Sequence, residues 1–359
     1  MNYINPKLLF TDVPSGKVGW QSPSNIALVK YWGKKDMQIP ANPSLSFTLC
    51  KSLTKTIVEF SPSHSNGAKL DFFFEGKSNE RFAKKTTLFF QNLLDIFPFL
   101  NQLDFKISSN NSFPHSAGIA SSASGMSAIA FALCDIERKY FDSLSDEDEF
   151  LRKVSFVSRL GSGSACRSVY GGLVSWGEIS GIEKTSNLFG TKLSERINPI
   201  FNTYNDSILI VDAAQKKVSS SIGHGLMKSN PFSGKRFIQA YSNITELLKI
   251  IEIGDLEDFI RVVESEALTL HAMMMTSTPY FQLMKPNTIS IIDKIWEYRK
   301  KTGTPVCFTL DAGPNIHLLY PDEYKYAVMD FINSELMEFT INNTIIHDKV
   351  GSGPKKLEL

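Results

Sequence analysis

Five short segments of this chain concentrate residues suited to gripping and transforming a small anionic molecule. The most informative runs from Asn110 to Gly125, Asn-Asn-Ser-Phe-Pro-His-Ser-Ala-Gly-Ile-Ala-Ser-Ser-Ala-Ser-Gly. Gly118 and the Ala/Ser run carry little side-chain bulk, so backbone N–H groups can close on a ligand. The helix predicted to follow adds its positive N-terminal end, which suits phosphate. Ser121 and Ser122 offer hydroxyls to phosphate oxygens or a metal ion, although a helix cap would use the same residue type. No Gly-Lys-Ser/Thr closes the run, so it is not the common P-loop.

A second segment, Asn25-Ile-Ala-Leu-Val-Lys-Tyr-Trp-Gly-Lys34, leads from apolar residues into Lys30, Tyr31, Trp32 and Lys34. Two ammonium groups four residues apart with a phenol between them can hold an anionic substrate; an amphipathic strand end with solvated lysines would look the same. The third, Gly161-Ser-Gly-Ser-Ala-Cys-Arg-Ser-Val-Tyr-Gly-Gly172, places Ser162 and Ser164 shortly before Arg167, whose fork of donors suits phosphate or carboxylate. So much Gly and Ser is costly unless a backbone must approach something closely. Cys166, with no His near in sequence, reads as packing. The fourth, Gln215-Lys-Lys-Val-Ser-Ser-Ser-Ile-Gly-His224, adds serines, including Ser220, beside basic residues, and alone reads as a polar loop. In the fifth, Phe308-Thr-Leu-Asp-Ala-Gly-Pro-Asn315, Asp311 ends an apolar strand, where partial dehydration fits a carboxylate to act on a hydroxyl. An Asp capping its own turn is the plainer alternative. His317, alternating with apolar residues, reads as a core or supporting histidine.

The elements that must position these residues follow from periodicity. Leu103, Phe105 and Ile107 alternate as in a strand, and Met126, Ile129, Ala130 and Leu133 recur as on a helix. Residues 55–61 and 70–74 read as a strand pair around a polar turn, and 79–97 as a helix stopped by Pro98. Ser145-Asp-Glu-Asp148 reads as the start of a helix ending near Gly161, and 172–177 as a strand. A polar, weakly periodic stretch between Ser180 and Ile200 suggests a boundary, giving domains 1–190 and 191–359. The second half is predicted as a strand at 208–211, helices at 231–251, 255–275 and 287–301, strands at 305–310 and 316–320, a short helix at 322–333 and a strand at 343–346. Strands with inserted helices in two halves indicate an α+β or mixed α/β protein.

The 359 residues support a substantial core, and the 26 phenylalanines fit helices packed on sheets. The net charge of +1 gives no reason to expect nucleic acid or a membrane surface as partner. Cys50, Cys134, Cys166 and Cys307 lie far apart, which argues against zinc and against a disulfide framework and fits a reducing cytoplasm. No run is apolar enough for a membrane helix.

Together the motifs resemble a family. Pro114-x-x-x-Gly118-x-x-Ser121-Ser122-Ala123 is similar to the ATP-phosphate loop of the GHMP small-molecule kinases. Asn25-Ile-Ala with Lys30-Tyr-Trp-Gly-Lys34, Gly161-Ser-Gly-Ser-Ala-Cys-Arg167, Val218-Ser-Ser220, Asp311-Ala-Gly-Pro-Asn315 and Val350-Gly-Ser-Gly-Pro354 resemble, in order, the diphosphomevalonate decarboxylases of that superfamily. The resemblance runs from about residue 22 to 354. It implies a GHMP-kinase fold, with a ribosomal-S5-like N-terminal domain packed on a ferredoxin-like C-terminal domain. It also implies ATP-dependent decarboxylation of mevalonate 5-diphosphate through 3-hydroxyl phosphorylation, with Mg2+ carried by the nucleotide and no metal site made by the protein. The alternative on the same framework is a phosphomevalonate decarboxylase or a mevalonate 3-kinase.

By the same resemblance Asp311 and Lys30 are catalytic. Tyr31, Trp32, Lys34, Arg81, Ser162, Ser164, Arg167 and Ser220 face the substrate, and Gly118, Ser121 and Ser122 hold ATP phosphates. A homodimer in the cytoplasm is the expected setting. The chain departs from the family pattern at Asn42-Pro43-Ser44, where Asn-Asp-Ser is usual, at Ser221-Ile-Gly223-His224, where Thr or Arg and then Gly-Met is usual, and at residues 271–276.

Overall fold

The computed structural model describes residues 3–63, 69–114, 119–193, 197–213 and 220–359. Two sheets organise it. The first has eight strands: β1 (Gly16–Val29), β2 (Ser44–Pro62), β3 (Leu70–Phe74), β4 (Lys77–Ser78), β5 (Leu103–Asn111), β6 (Leu173–Trp176), β7 (Gly190–Lys192) and, from the far end of the sequence, β12 (Lys355–Lys356). Its main order is β12-β1-β2-β5-β3-β4, with β6 joined to the early part of β2 and β7 to β6. Among the described residues only β3 and β5 run parallel; the other pairs are antiparallel.

The sequence reading made 55–61 and 70–74 a strand pair. They are strands, but β5 lies between them, pairing Val58 with Ile107 on one side and Phe72 with Ile107 on the other. A run of alternating apolar residues states which face is buried and says nothing of its neighbour.

Three helices accompany this sheet: α1 (Glu80–Gln91), α2 (Ser121–Tyr140) and α3 (Glu147–Gly161). Helix α1 stops seven residues before Pro98, which instead opens a short 3-10 helix, Pro98–Gln102. The cap of α3 is Asp146, whose carboxylate accepts from the Glu149 N–H, rather than Ser145. Helix α2 is apolar on most of its faces, and residues from Ala123 to Glu137 are largely buried between α3 and the sheet.

The second sheet has four antiparallel strands, β8 (Asn205–Leu209), β9 (Cys307–Thr309), β10 (Ile316–Tyr320) and β11 (Ile345–Lys349), in the order β11-β8-β10-β9. Last-first-third-second is the ferredoxin-like order. Helices α4 (Ser220–Leu226), α5 (Ser233–Ile253), α6 (Leu256–Met275) and α7 (Pro286–Thr302) fall between β8 and β9, and α8 (Lys325–Phe331) between β10 and β11. The halves share a hydrophobic cluster in which Ile26, Leu28 and Phe47 meet Phe201, Ile244 and Phe259. All four cysteines are free thiols. Among the described residues no helix is long and apolar enough to cross a membrane.

Candidate active site

The site begins where β1 ends. Lys30 is 1% exposed, and its Nζ donates to the Ala27 carbonyl at 2.6 Å and lies 3.4 Å from Asp311 Oδ1. Dehydration pushes this ammonium below the ordinary lysine range, and the Asp311 and Glu266 carboxylates oppose the drop. Asp311 stands just past β9, on the edge of the second sheet. Its side chain keeps 27% of its surface open, so it meets the buried cation on one side and stays accessible on another.

Helix α6 fixes the backbone of both residues. Glu266 accepts the Lys30 N–H at 2.9 Å, and five residues further on His271 Nε2 lies 3.2 Å from the Asp311 carbonyl. A carbonyl only accepts, so that nitrogen carries the ring proton. Glu266 is itself gripped by Arg236 at two points, 2.9 and 2.5 Å, and by Asn243 at 2.6 Å. Neither Glu266 nor Arg236 carries a signal in the sequence: they are charged residues on two amphipathic helices, and only the packing of α5 on α6 makes them a buried pair.

Arg167 lies on a short 3-10 helix, Gly163–Val169, and is 2% exposed. Nε donates to Ser46 Oγ at 2.9 Å, Nη1 to Ser44 Oγ at 2.5 Å and Nη2 to Asn25 Oδ1 at 3.2 Å. Burial lowers its pKa. All three partners are neutral, so among the described residues no contacting carboxylate balances this charge. Ser44, next to the departure at Pro43 and itself in keeping with the family pattern, thus serves the guanidinium.

Tyr31 packs at 4.6 Å from Trp176, and burial raises its phenol above the ordinary range. A Cβ on Gly163 would lie 2.8 Å from the Tyr31 hydroxyl, which is the close approach that the Gly/Ser run allows. Trp32 is 3% exposed in a cluster with Met227, Leu270, Met273 and Met274. Lys34 is half-buried, donates to Gln38 Oε1 at 3.1 Å, and is lowered in pKa by desolvation. Arg81 lies in the first turn of α1. Its charge and that of Lys34 both act on Lys85, which is solvent-accessible yet hemmed in enough that desolvation is the first cause of its lowered pKa.

Helix α2 starts at Ser121 after Ala120, whose left-handed φ of 42° makes no side-chain cap. Ser121 and Ser122 are therefore in the first turn and are not the cap. Ser122 Oγ is 3.5 Å from Ser162 Oγ, so the small-residue loop and the Gly161–Gly172 segment meet. Beside them opens a cleft walled by Phe72, Phe74, Phe82 and Met126, with Lys85 and Asn111 adding polar groups. Gly118 lies outside the described residues, as do Val218 and Ser219; Ser220 opens α4, and its side chain is likewise outside them. Cys166 is buried, donates to the Gly163 carbonyl and is pushed up to about 12, so it is packing. No group of His, Cys, Asp or Glu among the described residues could hold a metal ion.

This arrangement brings cations and hydroxyls from one half against a carboxylate from the other, as the family resemblance requires. A family model described as diphosphomevalonate decarboxylase-like N-terminal domain matches residues 22–187, and one described as mevalonate 5-diphosphate decarboxylase C-terminal domain matches 207–355. The diphosphomevalonate decarboxylase of Aspergillus fumigatus is 30% identical over 335 residues, covering 88% of this chain and 79% of that protein. The chain belongs to the diphosphomevalonate decarboxylase family. The mevalonate diphosphate decarboxylase of Staphylococcus aureus, a solved structure, is 29% identical with a TM-score of 0.81 over 97% of this chain and 99% of that one. A structure described as MDDEF in complex with MVAPP, AMPPCP and magnesium has 26% identity and a TM-score of 0.82, covering 96% and 100%. The GHMP-kinase fold expected from the sequence is the fold of this family member.

Proposed function

We propose that this chain converts mevalonate 5-diphosphate and ATP into isopentenyl diphosphate, CO2, ADP and phosphate, as a carboxy-lyase of the mevalonate route to isoprenoids. The observation that carries this reading is the Lys30–Asp311 pair, 3.4 Å apart and drawn from the two halves of the chain. A tertiary 3-hydroxyl is a hindered, weak nucleophile. Asp311 takes its proton as the oxygen bonds to the γ-phosphorus and ADP leaves. Lys30 lies beside Asp311, tunes its charge and steadies the transferred phosphoryl group, since phosphoryl transfer is largely positioning and electrostatics. The new 3-phosphate then departs with the C–O bonding pair. The C–C bond to the carboxylate breaks, its electrons form the double bond, and CO2 is released. Asp311, which keeps an open side, passes the proton it took to solvent before this step, and the carboxylate so restored favours the positive charge that builds at C3.

Arg167 suits the substrate's carboxylate or phosphate, with Tyr31, Lys34, Ser162 and Ser164 adding donors; Trp32, Arg81 and Ser220 complete the proposed substrate set. The nucleotide fits along α2: phosphates at Ser121, Ser122 and the preceding loop with Gly118, and the nucleoside in the aromatic cleft by Phe72, Phe74 and Phe82. Mg2+ would ride on the nucleotide phosphates and offset their charge. Residues 1–190 form the ATP-binding part and 191–359 the part supplying Asp311, in a cytoplasmic homodimer.

The test is a parallel assay of ADP and CO2 with ATP, Mg2+ and mevalonate, its 5-phosphate or its 5-diphosphate. Equal ADP and CO2 on the diphosphate alone is the expected result. ADP without CO2 would make the chain a kinase, and turnover confined to the monophosphate would change the substrate.

A further inference from the structure

The turn that carries Tyr31, Trp32 and Lys34 is held from the second half of the chain by one imidazole. His224, on α4, is 8% exposed, and its Nδ1 is 3.0 Å from the Gly33 nitrogen. A backbone amide can only donate, so Nδ1 is the bare acceptor and the ring proton sits on Nε2. The ring packs 4.2 Å from Tyr31 at 41° and 4.8 Å from Trp32 at 34°. Burial first, and then the Lys34 ammonium, push its pKa down to about 3, so the ring is a neutral acceptor at neutral pH.

The backbones on both sides are shaped for this contact. Gly33 sits at φ 96°, where L side chains are strained, and a Cβ there would meet the Phe237 ring at 2.8 Å. A Cβ on Gly223 would lie 2.6 Å from Trp32. The turn is thus pinned at Gly33 between the ring of Phe237 on α5 and the imidazole of His224 on α4.

We infer that His224 is a positioning residue: it latches α4 onto the 31–34 turn and so sets the phenol and ammonium groups that meet the anionic substrate. The inference rests on the decarboxylase reading for its kinetic test. It also has a readout free of activity, the protonation state of the His224 ring.

Ring 15N–1H correlation spectra of histidine-labelled protein at pH 7 should assign His224 as neutral with the proton on Nε2. A protonated ring, or one carrying its proton on Nδ1, overturns the latch. Two variants supply the kinetic arm, compared at equal folded fraction by circular dichroism. His224→Leu removes the acceptor and should raise the KM for mevalonate 5-diphosphate roughly five- to tenfold while leaving the KM for ATP unmoved. His224→Asn places an amide oxygen near the position of Nδ1 and should return the KM to within about twofold of the native value, the acceptor being restored. A native KM in His224→Leu, or equal impairment in both variants, overturns the inference. Should the native chain release neither ADP nor CO2, the functional reading fails, and the ring spectrum alone upholds or overturns the latch.

Discussion

The Lys30 ammonium and the Asp311 carboxylate meet at 3.4 Å although 281 residues separate them. The cation is almost wholly dehydrated and the carboxylate is partly open. A buried charge is tolerable only if compensated, so the pair gives Lys30 its counter-charge while leaving Asp311 an open side toward a ligand. Asp311→Asn keeps the shape and removes the base. Turnover should fall by about 10²–10⁴, with mevalonate 5-diphosphate binding by calorimetry nearly unchanged. Near-native turnover would remove the mechanism.

Arg167→Ala deletes a fork whose three hydrogen bonds go to Ser46, Ser44 and Asn25. If the charge serves the substrate, KM for mevalonate 5-diphosphate should rise roughly 10- to 100-fold, as for a lost charged hydrogen bond. A lowered melting temperature with native KM would make Arg167 a structural tie between β2 and the Gly163–Val169 turn.

Glu266→Gln leaves Arg236 buried with a weakened partner and loosens the acceptor of the Lys30 N–H. Breaking a buried pair typically costs about 3–5 kcal/mol, and the amide, which still accepts, should cost less. Urea titration should show a clear loss of stability, and kcat should fall more than KM rises, because Lys30 is displaced while Arg167 and Lys34 stay in place. An unchanged urea midpoint would contradict the burial of the pair.

Stability should also depend on pH through His224. Its folded pKa of about 3 lies below the ordinary 6.5, so the folded state prefers the neutral ring. That contribution is whole above pH 6.5 and is lost as pH falls toward about 3, at a slope of at most about 1.4 kcal/mol per pH unit. Urea midpoints across this window should fall more steeply in the native protein than in His224→Asn, which has no ring to protonate; parallel curves would refute it.

What the sequence disclosed and what it withheld divide along a physical line. The local motifs are legible because each reflects a local demand: small residues where a backbone approaches a ligand, Arg where a fork of donors is wanted, an Asp closing an apolar strand. Most helices and strands of the second half are legible from periodicity. Pairings formed across the fold are not. Nothing in the spacing brings Asp311 to Lys30; the family resemblance supplied it. The Arg236–Glu266 pair carries no local signal, since only the packing of α5 on α6 buries it. The alternation of Leu103, Phe105 and Ile107 discloses β5 but not its place between β2 and β3; the two-residue β12 and the short α4 leave almost no periodic trace, and nothing marks Ser44 and Ser46 as partners of Arg167 until it is folded against them.

The last strand also bears on the order in which the chain can assemble. Strand β12 pairs Lys356 with Trp20 on β1, Lys356 binds Asp135 at 2.7 Å, and just upstream the Asp348 carboxylate accepts the N–H groups of Cys50, Lys51 and Ser52. As a ribosome feeds the chain out from its beginning, the outer edge of β1 waits uncovered through the synthesis of all the described elements that precede β12. The first sheet can be largely formed by then but not closed, and a nascent chain stalled ahead of β11 would present that edge to chaperones or to its neighbours.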